Sequence, residues 1–312
     1  MGIMGNPKRH HILPIFYLKG FCRDGKLCVF DKKENRYNSQ SPINTAVIKN
    51  YYTILDKSGK ESADIETNFF AWLEGLTKPI LDKVEGNNPL SDNERYILSV
   101  FVSFLLVRVP SFEEQSDDFV GSIAKKMLLI QRDIDMQKKS ENSKENGSDL
   151  NLAIEDDNFY RLLDEGKIAI NLNKNHRLKW MLESGNYAAK YLFQMDWMFL
   201  HAPKRSSFIT SDNPFILIPP AKSKKHFLFR NVGIATPGAL KCIPLCKNVC
   251  ILIGQTGNRI SHILLTQEQV RNFNLLVARS FRRFLIARDK ILLKSIVGYF
   301  DFDNKDKNSK RK

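Results

Sequence analysis

The sequence predicts an α+β fold, mainly helical, with a small and mostly antiparallel sheet. Most of the chain before residue 201 carries apolar residues at helical spacing. From Phe208 to Ile253 the character changes to short β-prone runs split by Pro219-Pro220, Gly233 and Pro237-Gly238. A further β-prone run, Lys26–Asp31, stands near the start. The expected sheet joins that N-terminal part to the later strands.

In order, residues 1–7 read as a loose terminus. His11–Leu18 reads as extended, because Pro14 cannot sit inside a helix and biases Leu13 away from one. Gly20 and Asp24-Gly25 mark turns, so His11–Leu18 and Lys26–Asp31 form an expected N-terminal hairpin. Tyr37–Asn44 is polar and reads as irregular. In Ala63–Val84, Ile65, Phe69, Trp72, Leu73 and Leu76 fall on one helical face, and Pro79 is expected to kink or restart the helix. Glu66 and Glu74 lie about 80° apart around that helix. Ser91 and Glu94 have capping-box spacing. They open an apolar helix that ends at Arg108-Val109-Pro110, with Ser99 and Ser103 as a small-residue stripe. Phe112–Met136 reads as a third helix and Leu172–Leu200 as a fourth. Between them Gln137–Leu150 has almost no apolar residue and reads as a disordered insertion. Thr266–Ala287 returns to helix, Ile291–Phe302 suits a last strand, and Asp303–Lys312 reads as a basic flexible tail.

Hydrophobic residues make up 43% and charged residues 26% of 312, the profile of a soluble globular protein. The longest apolar run, Tyr96–Val107, is shorter than the roughly 20 residues a membrane span needs. Five cysteines without a secretory signal point to free thiols and a cytoplasmic protein. No CxxC pair, Walker loop, GxGxxG, GxSxG or HExxH is present. Cys242, Cys246 and Cys250 share one strand face but stand too far apart along it to ligate one zinc.

Net charge is +14, and residues 201–300 hold sixteen Lys or Arg against three acids, +13 (16 − 3). That half would attract nucleic acid or another phosphate-containing polyanion. Asp212 is the single acid between 201 and 260.

His10 and His11 are adjacent, so on a strand they face opposite ways, and His11 is the better candidate for proton transfer. The competing reading is a surface histidine beside a half-buried one that caps a hydrogen bond. Tyr17 could donate to an oxyanion or phosphate, or be a core ring with its hydroxyl at the rim. Thr210-Ser211-Asp212-Asn213-Pro214 displays hydroxyls, an acid and an amide at a strand exit, which also describes a plain Asx-turn. Arg108 could bind an anion or pair with Glu66 or Glu74.

These residues carry a resemblance. His10-His11-x-x-Pro14-x-x-Tyr17-Leu18-x-x-Phe21, the Glu66 and Glu74 helix, Arg108-Val109-Pro110, Thr210–Pro214, Ile243-Pro244-Leu245 and Asn274 together resemble a bacterial family of unassigned role, the domain of unknown function numbered 4238. The resemblance implies one co-linear domain, 1–302, and a recurring set of polar residues that looks like a site. It brings no activity with it.

The expected function is a nuclease or phosphodiester hydrolase of the defence or toxin kind. His11 is the general acid or base, with His10, Tyr17 and Asp212 as further catalytic candidates. Arg108, Ser211 and Asn213 would hold substrate, and Glu66 with Asp212 a divalent Mg or Mn ion. The alternative is a non-catalytic protein that binds nucleic acid or a protein partner.

Overall fold

The computed structural model describes residues 9–55, 61–141, 157–220 and 232–300, and it is α+β. The expected tail at 303–312, the run His226–Arg230 and the insertion beyond Glu141 lie outside these residues.

The N-terminal half departs from the expected hairpin. Strand β1 (Arg9–His11) stops before Pro14, which sits at the N-cap of helix α1 (Ile15–Lys19) with φ −58°. Proline suits a helix start as well as it breaks a strand, so the chain turns helical where extension was expected. Strand β2 (Leu27–Asp31) then pairs with β3 (Arg36–Gln40), and β1 pairs with β4 (Val47–Lys49), both antiparallel. The polar stretch expected to be irregular therefore contains β3, an edge strand that needs few apolar residues. A two-stranded ribbon of β5 (Ile54–Leu55) and β6 (Glu61–Ser62) follows.

The 63–84 segment is helical in two parts. Ile65–Phe70 forms a π-helical turn, and α2 (Ala71–Glu85) continues from it and runs through Pro79. Helix α3 (Asp92–Val107) starts with the expected capping box: Glu94 N–H donates to Ser91 Oγ and Ser91 N–H to Glu94 Oε2. Leu98, Val102 and Leu105 on α3 are fully buried. Ser99 and Ser103 are buried too, their hydroxyls returned to the carbonyls of Tyr96 and Val100. Helix α4 (Pro110–Glu141) extends into the stretch expected to be disordered. Helix α5 (Asp157–Asp164) leads to α6 (Lys174–Phe193), which packs on α3. At Gly185 of α6 a Cβ would come 2.7 Å from the Phe104 ring, which measures how close the two helices approach.

The fourth expected helix ends early. Strand β7 (Met195–His201) takes over, because Met195, Trp197 and Phe199 are buried at alternate positions, the period of a strand. Strands β8 (Thr210–Ser211), β9 (Ile216–Ile218), β10 (Leu240–Pro244), β11 (Val249–Thr256) and β12 (Ile260–Leu264) follow. Helix α7 (Gln267–Ser280) stops before β13 (Phe284–Ala287). The last apolar segment is a helix and not a strand, α8 (Lys290–Val297), because Asp289 accepts the N–H of Leu292 and caps it.

These strands build two main sheets where one was expected. Their orders are β12-β7-β11-β10-β9, antiparallel except for β12 on β7, and β3-β2-β13-β8, antiparallel throughout. Strand β1 belongs to neither, so His11 and Asp212 are not sheet neighbours. One apolar core surrounds α3, α1 and one face of the larger sheet, and a second packs α7 and α8 against residues of both sheets. The hairpin of β10 and β11 also corrects the cysteine geometry. It folds Cys242 back to 3.5 Å from Cys250, sulfur to sulfur, while all five cysteines remain free. No single helix among the described residues is long and apolar enough to cross a membrane.

Candidate functional site

Arg108 organises the polar cluster of the N-terminal half. It follows α3 at the corner with α4 and is only 2% exposed. One Nη2 hydrogen bond goes to the carbonyl of His11, and Nε donates to Tyr52 Oη at 3.3 Å. Nη1 lies 3.5 Å from Glu74 Oε1 and Nη2 4.0 Å from Glu66 Oε2. The guanidinium also stacks over the Phe70 ring at 4.1 Å. A buried cation needs such partners, since removing it from water is costly. The π-turn contributes Glu66 and Phe70 from one side, and α2 brings Glu74.

His10 and His11 divide as strand alternation requires. His10 is fully buried, and its Nδ1 accepts the N–H of Tyr52 at 2.7 Å, with the two rings stacked 5.6 Å apart. His11 is half-buried. Its Nε2 donates to the carbonyl of Ile43 at 3.1 Å, so Nδ1 carries the lone pair and has no hydrogen-bond partner among the described residues. Burial makes His11 less basic than an ordinary histidine, against the opposing pull of the Ile43 carbonyl and Glu66. Glu66 receives the His11 N–H at Oε1 (3.4 Å), while its buried Oε2 has no hydrogen bond. Burial pushes the Glu74 carboxyl above the usual carboxylate range; Arg108 pulls it back and Glu66 adds to the push. A neutral base, a carboxylate with an orphaned oxygen and a carboxyl that holds its proton longer than usual therefore meet around one arginine. π-Turns of this kind often mark functional sites.

The second expected group is built as an interlock. Tyr17 is buried; it donates to the carbonyl of Pro244 at 2.8 Å and so receives Thr210 Oγ1 at 2.7 Å. Asp212 accepts the N–H groups of Arg282, Arg283 and Phe284 at 3.0, 2.7 and 3.1 Å, which fixes the turn into β13. Burial still pushes its carboxyl above the usual range, against those three donors. Ser211 Oγ accepts the Asn213 N–H, so the local turn is made by a serine hydroxyl and not by the Asp or Asn side chain of the expected Asx-turn. Asn213 receives Ser111 Oγ at 3.1 Å and donates to the carbonyl of Ser280. Asn274 accepts from Ile209 N–H and donates to the carbonyl of Ser207.

The expected constellation is therefore only half assembled. His11, Glu66 and Arg108 meet, with Glu74 and Tyr52 added. No hydrogen bond or ion pair among the described residues joins Asp212 to them. Both Asp212 oxygens, expected to join Glu66 at a metal, are occupied by backbone donors. Among the described residues no group of three or more His, Cys, Asp or Glu is placed to hold a metal. Ser211 and Asn213 are turned to backbone and to Ser111, with Ser111 three residues beyond Arg108. Sequence reasoning missed Tyr52, which nothing distinguishes from its neighbour Tyr51, and Ser111.

The chain belongs to the family described as Protein of unknown function (DUF4238), whose model matches residues 9–291. No curated protein and no solved structure matches it.

Proposed function

We propose that this protein binds nucleic acid, or another phosphate-bearing polyanion, through its basic C-terminal half. The supporting observation is the +13 charge of residues 201–300, sixteen cations against three acids. Phosphate backbones supply a sequence-independent attraction to such a surface. Binding ranks before catalysis because Tyr17, Asp212 and Asn213 are engaged in holding distant segments together, and the Ser211 hydroxyl in the local turn to Asn213. The test is fluorescence anisotropy with labelled single- and double-stranded RNA and DNA over a salt series. Affinity that falls linearly in log–log form with salt is expected. No binding to any of the four at low salt overturns the proposal.

Phosphodiester hydrolysis is the second reading, and the Arg108 cluster favours it. His11 Nδ1 would take a proton from the attacking water. As the ester P–O bond breaks, the Glu74 carboxyl would give its proton to the departing oxygen. A Mg or Mn ion would draw on Glu66 Oε2, the oxygen without a hydrogen bond. Cleavage assays with each metal and with EDTA, beside His11→Ala and Glu74→Gln, decide this. Cleavage unchanged in both folded variants removes the cluster from catalysis, and no cleavage under any condition removes the reading.

A further inference from the structure

Helices α7 and α8 and the segment after β7 enclose a polar cleft of about 420 Å³ in the basic half. Three arginines line it, Arg205, Arg271 and Arg288, and one acid, Glu268. Arginines of the same half are paired elsewhere: Arg259 with Asp196, Arg282 with Glu114 and Arg283 with Asp31. In the cleft, two of the three have no carboxylate partner among the described residues. Arg205 makes no hydrogen bond or ion pair among the described residues. Arg271 makes one long bond, 3.5 Å, to the carbonyl of Ser295, and meets no carboxylate among the described residues. Arg288 is the paired one: its Nε lies 3.1 Å from Asp289 Oδ2, while the other oxygen of Asp289 caps α8. Two guanidiniums without a carboxylate partner, beside a third, share the cleft, and an anion placed between them offsets their repulsion.

The cleft is also pre-shaped. Asn274, 1% exposed, holds the carbonyl of Ser207 at 2.9 Å and the N–H of Ile209 at 3.0 Å. This pins the Arg205–Ser207 segment to α7, so Arg205 and Arg271 face one cleft from two elements fixed to each other. The hydroxyl of Ser206 adds a neutral donor at the same lining, while that of Ser295 is given to the Leu292 carbonyl. Planar arginine forks beside a hydroxyl fit the oxygens of a phosphate group. Asn274, a motif residue with no part in the Arg108 cluster, thereby acquires a role as the tie that sets this spacing.

We infer that this cleft is a phosphate site, and that it receives a phosphate carried by a nucleotide or by a nucleic-acid strand. The inference rests on the reading of the basic half as polyanion-binding and narrows it to named residues. Arg205 and Arg271 supply the principal contacts, with Arg288 completing the ring.

The test uses the full chain, the double variant Arg205→Gln with Arg271→Gln, and the control Arg279→Gln. Arg205 and Arg271 are exposed, so the variants are expected to fold, which thermal melting checks; Arg279 is an exposed cation of α7 outside the lining. Probes are inorganic phosphate and a mononucleotide, read by thermal shift, and a labelled single-stranded oligonucleotide, read by anisotropy. The double variant is expected to bind the oligonucleotide about tenfold more weakly or worse. Its salt slope is expected to fall by about one, for the one phosphate no longer neutralised. The Arg279 control should keep both within a small margin of the parent. Oligonucleotide binding that is equal in the parent and the double variant overturns the cleft and leaves the basic-half reading intact. Protection by phosphate or mononucleotide alone, absent from the double variant, supports the cleft and overturns nucleic acid as the partner. A parent protein that responds to none of the three probes overturns both.

Discussion

The hydroxyl of Tyr17 lies 2.7 Å from Thr210 Oγ1, across 193 residues of chain, and donates onward to the carbonyl of Pro244. It joins the N-terminal helix to both main sheets at one buried point. Tyr17→Phe keeps the ring and leaves the Thr210 hydroxyl and the Pro244 carbonyl short of a partner. The expected loss is about 1–3 kcal/mol of stability, the cost of unsatisfied buried polar groups. Urea denaturation measures it, and an unchanged midpoint would show that the hydroxyl contributes nothing.

Asp212 should behave as a structural residue before it behaves as a catalytic one. In Asp212→Asn the amide can accept at one oxygen only, and its NH₂ faces a backbone N–H. A loss of about 1–3 kcal/mol is expected, because hydrogen bonds to a charged acceptor are among the stronger ones. His11→Ala, at a half-buried ring with one carbonyl bond, should cost clearly less in the same urea series. The reverse order would restore Asp212 as a chemical candidate.

Arg108 should be the least replaceable residue of the N-terminal half. Arg108→Met leaves Glu66 and Glu74 without their shared cation and the His11 carbonyl without its donor. Breaking a buried pair of this kind costs about 3–5 kcal/mol. Adding Glu66→Gln and Glu74→Gln to Arg108→Met should recover part of that loss, since the uncompensated charges are gone. A triple variant no more stable than Arg108→Met would mean that packing on Phe70, and not charge, is what the arginine provides.

Stability should decline as the solution turns mildly acidic. His11, His201 and His262 are each less basic than the ordinary 6.5, chiefly because burial disfavours the charged ring. With folded values below the unfolded one, the unfolded chain binds protons first as pH falls. Their contribution is complete above about pH 6.5 and is lost as pH drops toward the folded values. Glu74 and Asp212, raised by burial, act in the opposite sense. Their contribution is full below the unfolded values of 4.5 and 3.8, and is lost as pH rises through the folded ones. His201 Nε2 and His262 Nδ1 stand 2.9 Å apart, so one ring must accept and both cannot be charged without breaking the bond. A lower urea midpoint at about pH 5.5 than at about pH 7.5 is expected, with a smaller drop in His201→Asn. A flat profile between the two would contradict the burial argument.

Several elements were legible from local pattern alone. The apolar run and capping box of α3, the β-prone β2, and the strands around Pro244 are set by short-range spacing. So is the concentration of sixteen cations in residues 201–300. The misread elements are those where local preference is weak or double-valued. Pro14 could end a strand or begin a helix, and packing chose both, one after the other. Strand β3 has too few apolar residues to declare itself, and β7 shows its period of two only against a partner. The segment 290–297 suited strand or helix until Asp289 capped it.

The sequence by itself determined the α+β class, the charge asymmetry and which polar residues merited testing. Only the tertiary structure decided which of those residues are fasteners and which keep a free atom. Tyr17 answers Thr210, Asp212 answers Arg282–Phe284, and Arg108 answers His11, over separations of 70 to 193 residues for the first two and 97 for the third. No local spacing encodes a partner so far along the chain. A buried polar group must find one somewhere, however, and what it finds is fixed only when the cores close.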